Sequence, residues 1–487
     1  MGQSKSWFKR EWIVDLVFYL LVFLSICCFA AIQTYGDPPD EINRFKVVSY
    51  IAKYGRLPIG SDPEVLLDGY GASYAFQPIL TYIIQGFLLR FLGLFTENGY
   101  VLLLFARMVN AVFGVLMAYF VRRIARETWK NPYLQWTFTL LVVFLPQNIF
   151  IHSYVNTDSM ALLAVAIIFY VLLKAQRTGY ERQDCILLAV GIILCAMSYY
   201  NAYGMILAAI IIFALEFIHR GGKIKGGLWI EWQPLLQKGL FISVIVLAGI
   251  GWWFIRNGIL YEGDIIAMNA RRECAILTAT EEFNPLTRFT WQKSGESVWA
   301  MLMDTGYLTL LRDSFIAMFG PMLIPTHGLI YLFYQWLWIV ACVAAVLPLE
   351  KVKANWQQGR GGWTKSGKSG EVQGENLWYS MPWERKRMWL FYGSMLLFCV
   401  ITIGLSIYYS YTWEYQPQGR YVLPILVPFM YLVTQGIGKL SLFFGRLTCL
   451  GTMGYVLLTF GYSLFDRFLP YYAKGDNLFS LWGKLLY

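Results

Sequence analysis

Long apolar runs separated by short polar segments dominate this chain. A membrane-spanning helix needs about 20 mostly apolar residues, and twelve runs approach this length. They lie at 13–32, 79–95, 99–121, 134–151, 157–173, 184–199, 201–217, 239–255, 328–348, 388–409, 421–437 and 447–465. The run 79–95 is short, follows Gln77-Pro78 and contains Gln85 and Arg90, so we expect it to lie along the outer interface. The pattern predicts an all-α polytopic membrane protein with about eleven transmembrane helices.

The composition excludes a water-soluble or disordered chain. Of the 487 residues, 57% are hydrophobic and only 14% are charged, against about 25% charged in soluble domains. The first run follows Lys5, Lys9 and Arg10. It is too long for the core of a signal peptide and no cleavage site follows, so we expect an uncleaved span with a cytoplasmic N-terminus. The eight cysteines have neither CxxC spacing nor a disulfide pattern.

The net charge of +10 reports orientation. With eleven spans, the predicted inner segments hold most of the 40 Lys and Arg but only about a third of the 30 Asp and Glu, as the positive-inside rule requires. We therefore expect no nucleic-acid partner. The segment 350–387 is an inner, flexible Gly- and Ser-rich loop, and 33–98 and 256–327 are long, structured outer loops. We expect one catalytic membrane domain, 1–465, with a short outer tail, 466–487, and function on the outer side.

The first outer loop predicts a helix over about 38–54. Asp37 is a suitable N-cap, Pro38 suits the first helical position, and Gly55 ends the element. The 256–327 loop has helical spacing of apolar residues after residue 283, which predicts amphipathic juxtamembrane helices on the membrane surface.

Asp40 and Glu41 then fall in the first turn of the predicted helix, where the helix dipole favours ionised carboxylates. One interpretation is that they only stabilise the helix start. However, acids clustered at the exit of a span, where unpaired charge is costly, indicate function. Arg44 follows one turn after Asp40 and can pair with it.

Asn156 and Asp158 form a second polar point between two predicted spans. Such residues commonly make a turn and cap the next helix. Because Asp158 is the only charge in that outer turn, it is also a candidate for holding an acceptor's hydroxyl or amine, or a cation.

Two arginines lie at outer span ends. Arg256 follows Trp252-Trp253 and either reaches lipid phosphates or binds substrate. Arg420 lies between Gly419 and Pro424, which interrupt the helix locally. Irregular backbone at that depth usually lines a cavity, where a guanidinium suits phosphate binding.

Together these motifs resemble the GT-C superfamily of polyprenyl-phosphate-sugar glycosyltransferases, which includes protein O-mannosyltransferases and lipid A aminoarabinose transferases. The resemblance extends over about 13–465 and is carried by Pro39-Asp40-Glu41, Gln77-Pro78, Asn156-x-Asp158, Trp252-x-x-x-Arg256-Asn257 and Gln418-Gly419-Arg420-Tyr421-x-x-Pro424. The similarity is greatest to a bacterial branch with Pro-Asp-Glu-x-x-His-Phe in the first loop. Here Arg44 stands in place of that histidine.

The resemblance implies an enzyme that moves one sugar from a polyprenyl monophosphate carrier to a glycan, lipid or protein acceptor on the outer face of the cell membrane, with inversion. It implies Asp40, or alternatively Glu41, as the general base. Arg420, Arg256 and Arg44 would bind the donor phosphate, and Asp158 with Asn156 would form an acceptor or second acidic site.

No metal site is expected, because the three histidines are scattered along the chain and basic side chains can neutralise a monophosphate leaving group. The lipid-linked donor is the only cofactor-like group implied. A transporter or flippase is the alternative, although its charges should lie near the bilayer midplane in paired halves.

Overall fold

A computed structural model describes residues 2–220, 227–349 and 383–473. The helices, in chain order, are α1 (Gly2–Ile32), α2 (Glu41–Tyr54), α3 (Leu80–Leu92), α4 (Gly99–Thr128), α5 (Pro132–Val143), α6 (Pro146–Ile151), α7 (Asp158–Thr178), α8 (Arg182–Ala196), α9 (Gly204–Glu216), α10 (Trp232–Leu260), α11 (Met268–Thr278), α12 (Val298–Asp304), α13 (Tyr307–Ile316), α14 (Gly328–Val346), α15 (Trp383–Thr412), α16 (Leu426–Phe444), α17 (Arg446–Tyr462) and α18 (Leu469–Ala473). Two short antiparallel pairs, β1 (Ile218–Arg220) with β2 (Leu228–Ile230) and β3 (Met318–Phe319) with β4 (Ile324–Pro325), are the strands seen in these ranges. Most of the predicted inner loop 350–387 and the end of the predicted tail 466–487 lie outside the described residues.

Eight helices in the described ranges are long and apolar enough to cross a membrane. They cover Glu11–Ile32, Gly99–Thr128, Asp158–Thr178, Trp232–Leu260, Gly328–Val346, Arg385–Thr412, Leu423–Phe444 and Arg446–Ala473. The predicted helical, multi-pass class is confirmed.

The count of eleven spans is not confirmed, because three predicted runs form short helices. Pro146 divides the run 134–151 into α5 and α6, since proline cannot donate an amide to the preceding turn and restricts Leu145 before it. Helices α8 and α9 have 15 and 13 residues. At 1.5 Å per residue they reach roughly 20 Å, less than the hydrocarbon core of about 30 Å.

The run 79–95 forms α3, whose 13 residues are also too short to span. Its buried face includes Tyr82, Gln85 and Leu89 and packs against α2. The Gln85 amide nitrogen has partners within the protein, since Nε2 donates to the Ala106 carbonyl at 2.9 Å and to Asn110 Oδ1 at 2.7 Å. The interfacial position of this helix stays a prediction.

Helix α7 is the centre of the bundle. All its residues from Asp158 to Leu172 are buried, and it packs against α4, α8, α9 and α16. A helix that is apolar on all sides is stable only when neighbours surround it. The N-terminus of α7 is consequently held in one place, against Arg44 of α2.

The loop after α10, which the sequence predicts to be outer, carries α11, α12 and α13. Helices α12 and α13 lie within the region predicted to be helical, whereas 283–297 forms turns. These elements and the first outer loop enclose the charged cluster described next.

Candidate active site

Four charged side chains from three distant parts of the chain meet beside the N-terminus of α7. Asp40 Oδ2 accepts a hydrogen bond from Arg420 Nη2 at 2.6 Å and lies 3.8 Å from Arg44 Nη2. Arg44 Nη1 in turn donates to Asp158 Oδ2 at 2.8 Å. The two acids and two arginines thus alternate in one connected chain of ion pairs.

Their accessibility differs sharply. The side chains of Arg44, Asp158 and Arg420 are only 4–5% exposed, whereas that of Asp40 is 33% exposed. Asp40 is therefore the member of the cluster that a substrate can reach without rearrangement of the protein.

Asp40 has a left-handed backbone conformation, with φ 62° and ψ 9°. Aspartate tolerates this region better than most residues, but it is uncommon outside glycine. The prediction that the helix begins at Pro38 with Asp37 as its N-cap is wrong. Helix α2 begins at Glu41, because a right-handed helix cannot extend back through the left-handed Asp40.

Arg420 lies on a 3-10 turn, Gly419–Tyr421, between α15 and α16. The Gly419 amide donates to Ser314 Oγ at 2.7 Å, and a Cβ atom at Gly419 would lie 2.1 Å from the Phe315 amide nitrogen. Only glycine permits this close approach to α13, which fixes the turn and directs the guanidinium towards Asp40.

Opposing effects determine the ionisation of Asp40. Burial alone would raise its pKa, but the positive charges of Arg420 and Arg44 outweigh that effect and lower the pKa to about 2. Asp40 is therefore a carboxylate at every physiological pH. Asp158 occupies the first turn of α7.

The cluster contains several buried polar atoms without a hydrogen-bond partner in the described chain. They are Arg44 Nε, Asp158 Oδ1, Arg420 Nε and the Tyr154 hydroxyl. Buried polar groups are nearly always paired in folded proteins. Their concentration around one exposed carboxylate indicates a site prepared for a polar ligand.

Tyrosines surround this cluster. The Tyr74 ring lies 5.3 Å from the Arg44 guanidinium carbon, and the Tyr421 ring lies 4.9 Å from that of Arg420. Burial raises the pKa of Tyr74 and the negative charge of Asp40 raises it further, so the phenol stays protonated next to the carboxylate. The sequence analysis did not select these tyrosines, because a chain with 33 of them gives no sign of which ones face a site.

Glu41 is separated from the cluster by its own ion pair. Arg107 donates to both carboxylate oxygens of Glu41, at 2.8 and 2.5 Å, and the Val155 amide donates at 3.1 Å. Glu41 and Arg107 are 0% and 1% exposed. Arg107 also donates to the carbonyls of Ala30 and Gln33, so this pair ties the end of α1 to the starts of α2 and α7.

Arg107 was not predicted as a site residue from the sequence. A signal existed, because a single arginine in the middle of the apolar α4 is costly unless it has a buried partner.

Asn156 has the structural arrangement that the turn interpretation predicts. Its Nδ2 donates to the carbonyls of Ile151 and Tyr154, and its Oδ1 accepts from the Ser159 amide and hydroxyl. All hydrogen-bonding capacity of the Asn156 side chain is used within the turn before α7, whereas Asp158 joins the charged cluster.

Arg256 contacts a different set of residues from Arg420. Its Nη2 donates to the Pro58 carbonyl at 2.6 Å and its guanidinium lies 5.2 Å from the Trp253 ring. It lines a separate cavity of about 680 Å³ together with Arg56 and Asp62. The structure therefore does not bring Arg256 together with the Asp40 cluster.

In the three described ranges, no group of three or more His, Cys, Asp or Glu side chains is placed to hold a metal ion. The positive charge at the cluster comes from arginines.

Residues 90–262 match the family model for dolichyl-phosphate-mannose-protein mannosyltransferase. This segment, about a third of the chain, includes Arg107, Asp158 and Arg256 but neither Asp40 nor Arg420. The match confirms the resemblance and the enzyme class that the motifs predicted, and favours a glycosyltransferase over a transporter or flippase. No curated protein matches the chain.

Among solved structures, the chain is similar to the oligosaccharyltransferase of Archaeoglobus fulgidus. The apo form gives a TM-score of 0.44 at 12% identity, covering 96% of this chain and 56% of that one. The same organism's oligosaccharyltransferase AglB, in complex with an inhibitory peptide and a dolichol phosphate, gives 0.47 at 12% identity, covering 97% and 56%. This chain thus spans little more than half the length of either.

Proposed function

We propose that this membrane glycosyltransferase of the GT-C superfamily transfers a single sugar from a polyprenyl monophosphate to an acceptor at the outer face of the cell membrane. The observation that carries the proposal is the partly exposed Asp40 carboxylate held against the buried Arg420. A proton acceptor and a phosphate-binding group are the two functions that this transfer requires, and here they adjoin each other.

Asp40 serves as the general base in this proposal. A carboxylate with a pKa of about 2 is always ionised but is a weak base. It suffices when the phosphate departs ahead of proton transfer, because the acceptor hydroxyl becomes more acidic as it attacks the developing cation at the anomeric carbon. The proton then passes from the acceptor oxygen to Asp40.

Arg420 binds the departing phosphate. In the structure its Nη2 donates to Asp40, so the carboxylate occupies a position that a phosphate oxygen of the donor would share. When phosphate engages Arg420, less of its positive charge acts on Asp40, and the pKa of Asp40 rises. Donor binding thereby makes Asp40 a better base at the moment when it is needed.

Arg44 holds the other side of the site. Its charge is balanced by Asp158 at 2.8 Å, which keeps the guanidinium fixed between the two acids. Because Glu41 is fully buried against Arg107 and Asp158 is buried against Arg44, Asp40 alone is accessible. One accessible carboxylate fits a single displacement with inversion, in which no glycosyl-enzyme intermediate forms.

The test is sugar transfer by purified protein carrying Asp40→Asn, with lipid-linked sugars and surface glycans measured by mass spectrometry in cells. We expect loss of transfer and accumulation of the polyprenyl-phosphate sugar. Asp68→Asn is the matched control, since Asp68 lies in the same outer loop with a 91% exposed side chain and should have no effect. Unchanged glycans without donor accumulation would refute the assignment.

Orientation is tested separately by tag accessibility. A tag between residues 350 and 382 should be labelled only after the membrane is permeabilised. Labelling of intact cells would place Asp40 and Arg420 on the inner side.

A further inference from the structure

A second positively charged site lies in the outer loop after α11. Arg288 is only 8% exposed, and its side chain donates no hydrogen bond and forms no ion pair in the described part of the chain. Its guanidinium carbon lies 3.5 Å from the centre of the Trp413 ring. Its Nε atom is buried without a hydrogen-bond partner, so this donor of the guanidinium remains to be satisfied.

Arg271 lies within electrostatic range of Arg288 and adds a second positive charge to this site. Burial lowers the pKa of Arg288 and the positive charge of Arg271 lowers it further, whereas Tyr409 and Glu414 raise it. The Nε atom of Arg271 is also buried without a partner. Two neighbouring guanidinium groups with unpaired buried donors are electrostatically unfavourable unless an anion lies with them.

The rim of this site has the residues that carbohydrates bind. Tyr70 stacks on Phe283 with ring centroids 4.1 Å apart, and its hydroxyl donates to Glu414 at 2.9 Å. Tyr70, Trp413 and Glu414 are each partly exposed. Aromatic faces suit the apolar face of a sugar ring, and a carboxylate accepts hydrogen bonds from its hydroxyls.

The site is continuous with the proposed catalytic cluster. The rings of Tyr409 and Tyr421 lie 6.4 Å apart, and the Tyr421 hydroxyl accepts from Arg420 at 3.0 Å. On the other side, the negative charge of Asp40 contributes to the raised pKa of Tyr70, after burial and Glu414. A sugar bound against Tyr70 is therefore within electrostatic range of Asp40.

The loop that carries Arg288 is firmly held. Lys293 Nζ donates to the carbonyls of Pro285, Leu286 and Arg288 at 2.9–3.2 Å, and the Gln292 amide donates to the carbonyl of Tyr411 at 3.1 Å. Arg288 is consequently presented in a fixed position before any ligand arrives.

We propose that Arg288 and Arg271 bind a negatively charged group of the acceptor, so that the acceptor is a carbohydrate carrying a carboxylate or a phosphate. This inference rests on the proposed function, since it names the acceptor class of the same site. The donor phosphate is assigned to Arg420 and Arg44, which leaves the anion at Arg288 to the acceptor.

Binding of four soluble probes tests the proposal directly, with the full-length protein in nanodiscs and saturation-transfer NMR as the readout. The probes are methyl glucoside, methyl glucuronide, glucose 6-phosphate and inorganic phosphate. We expect at least tenfold tighter binding of one of the charged sugars than of methyl glucoside, and at least tenfold tighter binding than of inorganic phosphate. A carboxylate-bearing acceptor favours methyl glucuronide, and a phosphate-bearing one favours glucose 6-phosphate.

Variants locate the binding. Arg288→Gln should abolish the preference for charged sugars, and Arg288→Lys and Arg271→Gln should reduce it. The two milder variants carry the test if Arg288→Gln does not fold. Arg272→Gln is the matched control, because it removes the same charge from the exposed next position of α11 and should leave the preference intact.

Equal binding of charged and neutral sugars would overturn the inference, as would inorganic phosphate binding as tightly as glucose 6-phosphate, or an equal effect of Arg272→Gln. Asp40→Asn separates this failure from that of the proposed function. If transfer survives Asp40→Asn, the proposed function fails whatever the binding shows. If Asp40→Asn abolishes transfer while all sugars bind alike, only the acceptor inference fails.

Discussion

Comparison of Glu41→Gln with Asp40→Asn tests whether these adjacent carboxylates have separate roles. Glutamine has the same shape as Glu41 but turns an NH₂ group towards the donors of Arg107 and leaves that buried arginine without a counter-charge. Removing one partner of a buried ion pair costs about 3–5 kcal/mol. Because Arg107 retains the carbonyls of Ala30 and Gln33, we expect the lower end, about 3 kcal/mol.

The expected shift in melting temperature follows from the length of the chain. An entropy of unfolding of about 2.1 cal/mol/K per residue gives about 1 kcal/mol/K for 487 residues, so Glu41→Gln should melt about 3 °C below wild type. Asp40 is one-third exposed, and a partly exposed pair contributes about 1 kcal/mol or less. Asp40→Asn should therefore melt within about 1 °C of wild type.

Activity should respond in the opposite order. Loss of a general base lowers transfer roughly 10²–10⁴-fold, which we expect for Asp40→Asn, whereas Glu41→Gln should retain transfer within about tenfold below its melting temperature. The two measurements are thermal scans and sugar transfer from a polyprenyl-phosphate sugar. All scans are run at one fixed rate, because unfolding of such proteins is often irreversible. A Glu41→Gln protein that melts like wild type but transfers nothing would make Glu41 the base and refute the reasoning.

Three further outcomes are expected. Arg420→Lys should raise the KM for the donor about tenfold, and Arg420→Gln should raise it more, because lysine keeps the charge but loses the bidentate contact with phosphate. Equal KM values for the wild type and both variants would exclude phosphate binding by Arg420. The acid limb of kcat should lie at higher pH than that of kcat/KM for the donor, because the Asp40 pKa is about 2 in the free enzyme and donor binding raises it. Activity is lost as the pH falls through each of these pKa values. Coincident limbs would contradict the proposal that the donor phosphate displaces Asp40 from Arg420. Gly419→Ala should abolish transfer without altering any charge, because its Cβ would meet the Phe315 backbone at 2.1 Å, whereas Gly454→Ala, with open space around it, should transfer normally.

Much of the architecture could be predicted because apolar run length is a direct consequence of membrane thickness. The runs predicted the long helices, and the alternation of eleven spans predicted Asp40, Asp158 and Arg420 on one side of the bilayer. The structure brings these three residues together. The prediction of a span over 134–151 was not confirmed, because Pro146 divides this run into two short helices. A divided helix and a continuous one have the same hydropathy.

Side-chain partners were harder to predict. Arg256 and Arg420 have similar sequence surroundings at outer span ends, and only the packing of the first outer loop separates them. The left-handed Asp40 was missed because Asp37-Pro38 is an equally good helix start by local rules. Arg288 lies in a loop without a motif, so nothing in the sequence distinguished it from the exposed Arg272.

The hydrogen bond between Asp40 and Arg420 joins residues 380 positions apart, and this has a consequence for biosynthesis. The ribosome makes the segment that carries Asp40 long before it makes Arg420, so the nascent protein first has only one half of the proposed site. Fragments that end before Gly419 lack Arg420 and, on the role proposed for this residue, should be unable to consume lipid-linked sugar. Partly synthesised enzyme would then leave the carrier pool untouched.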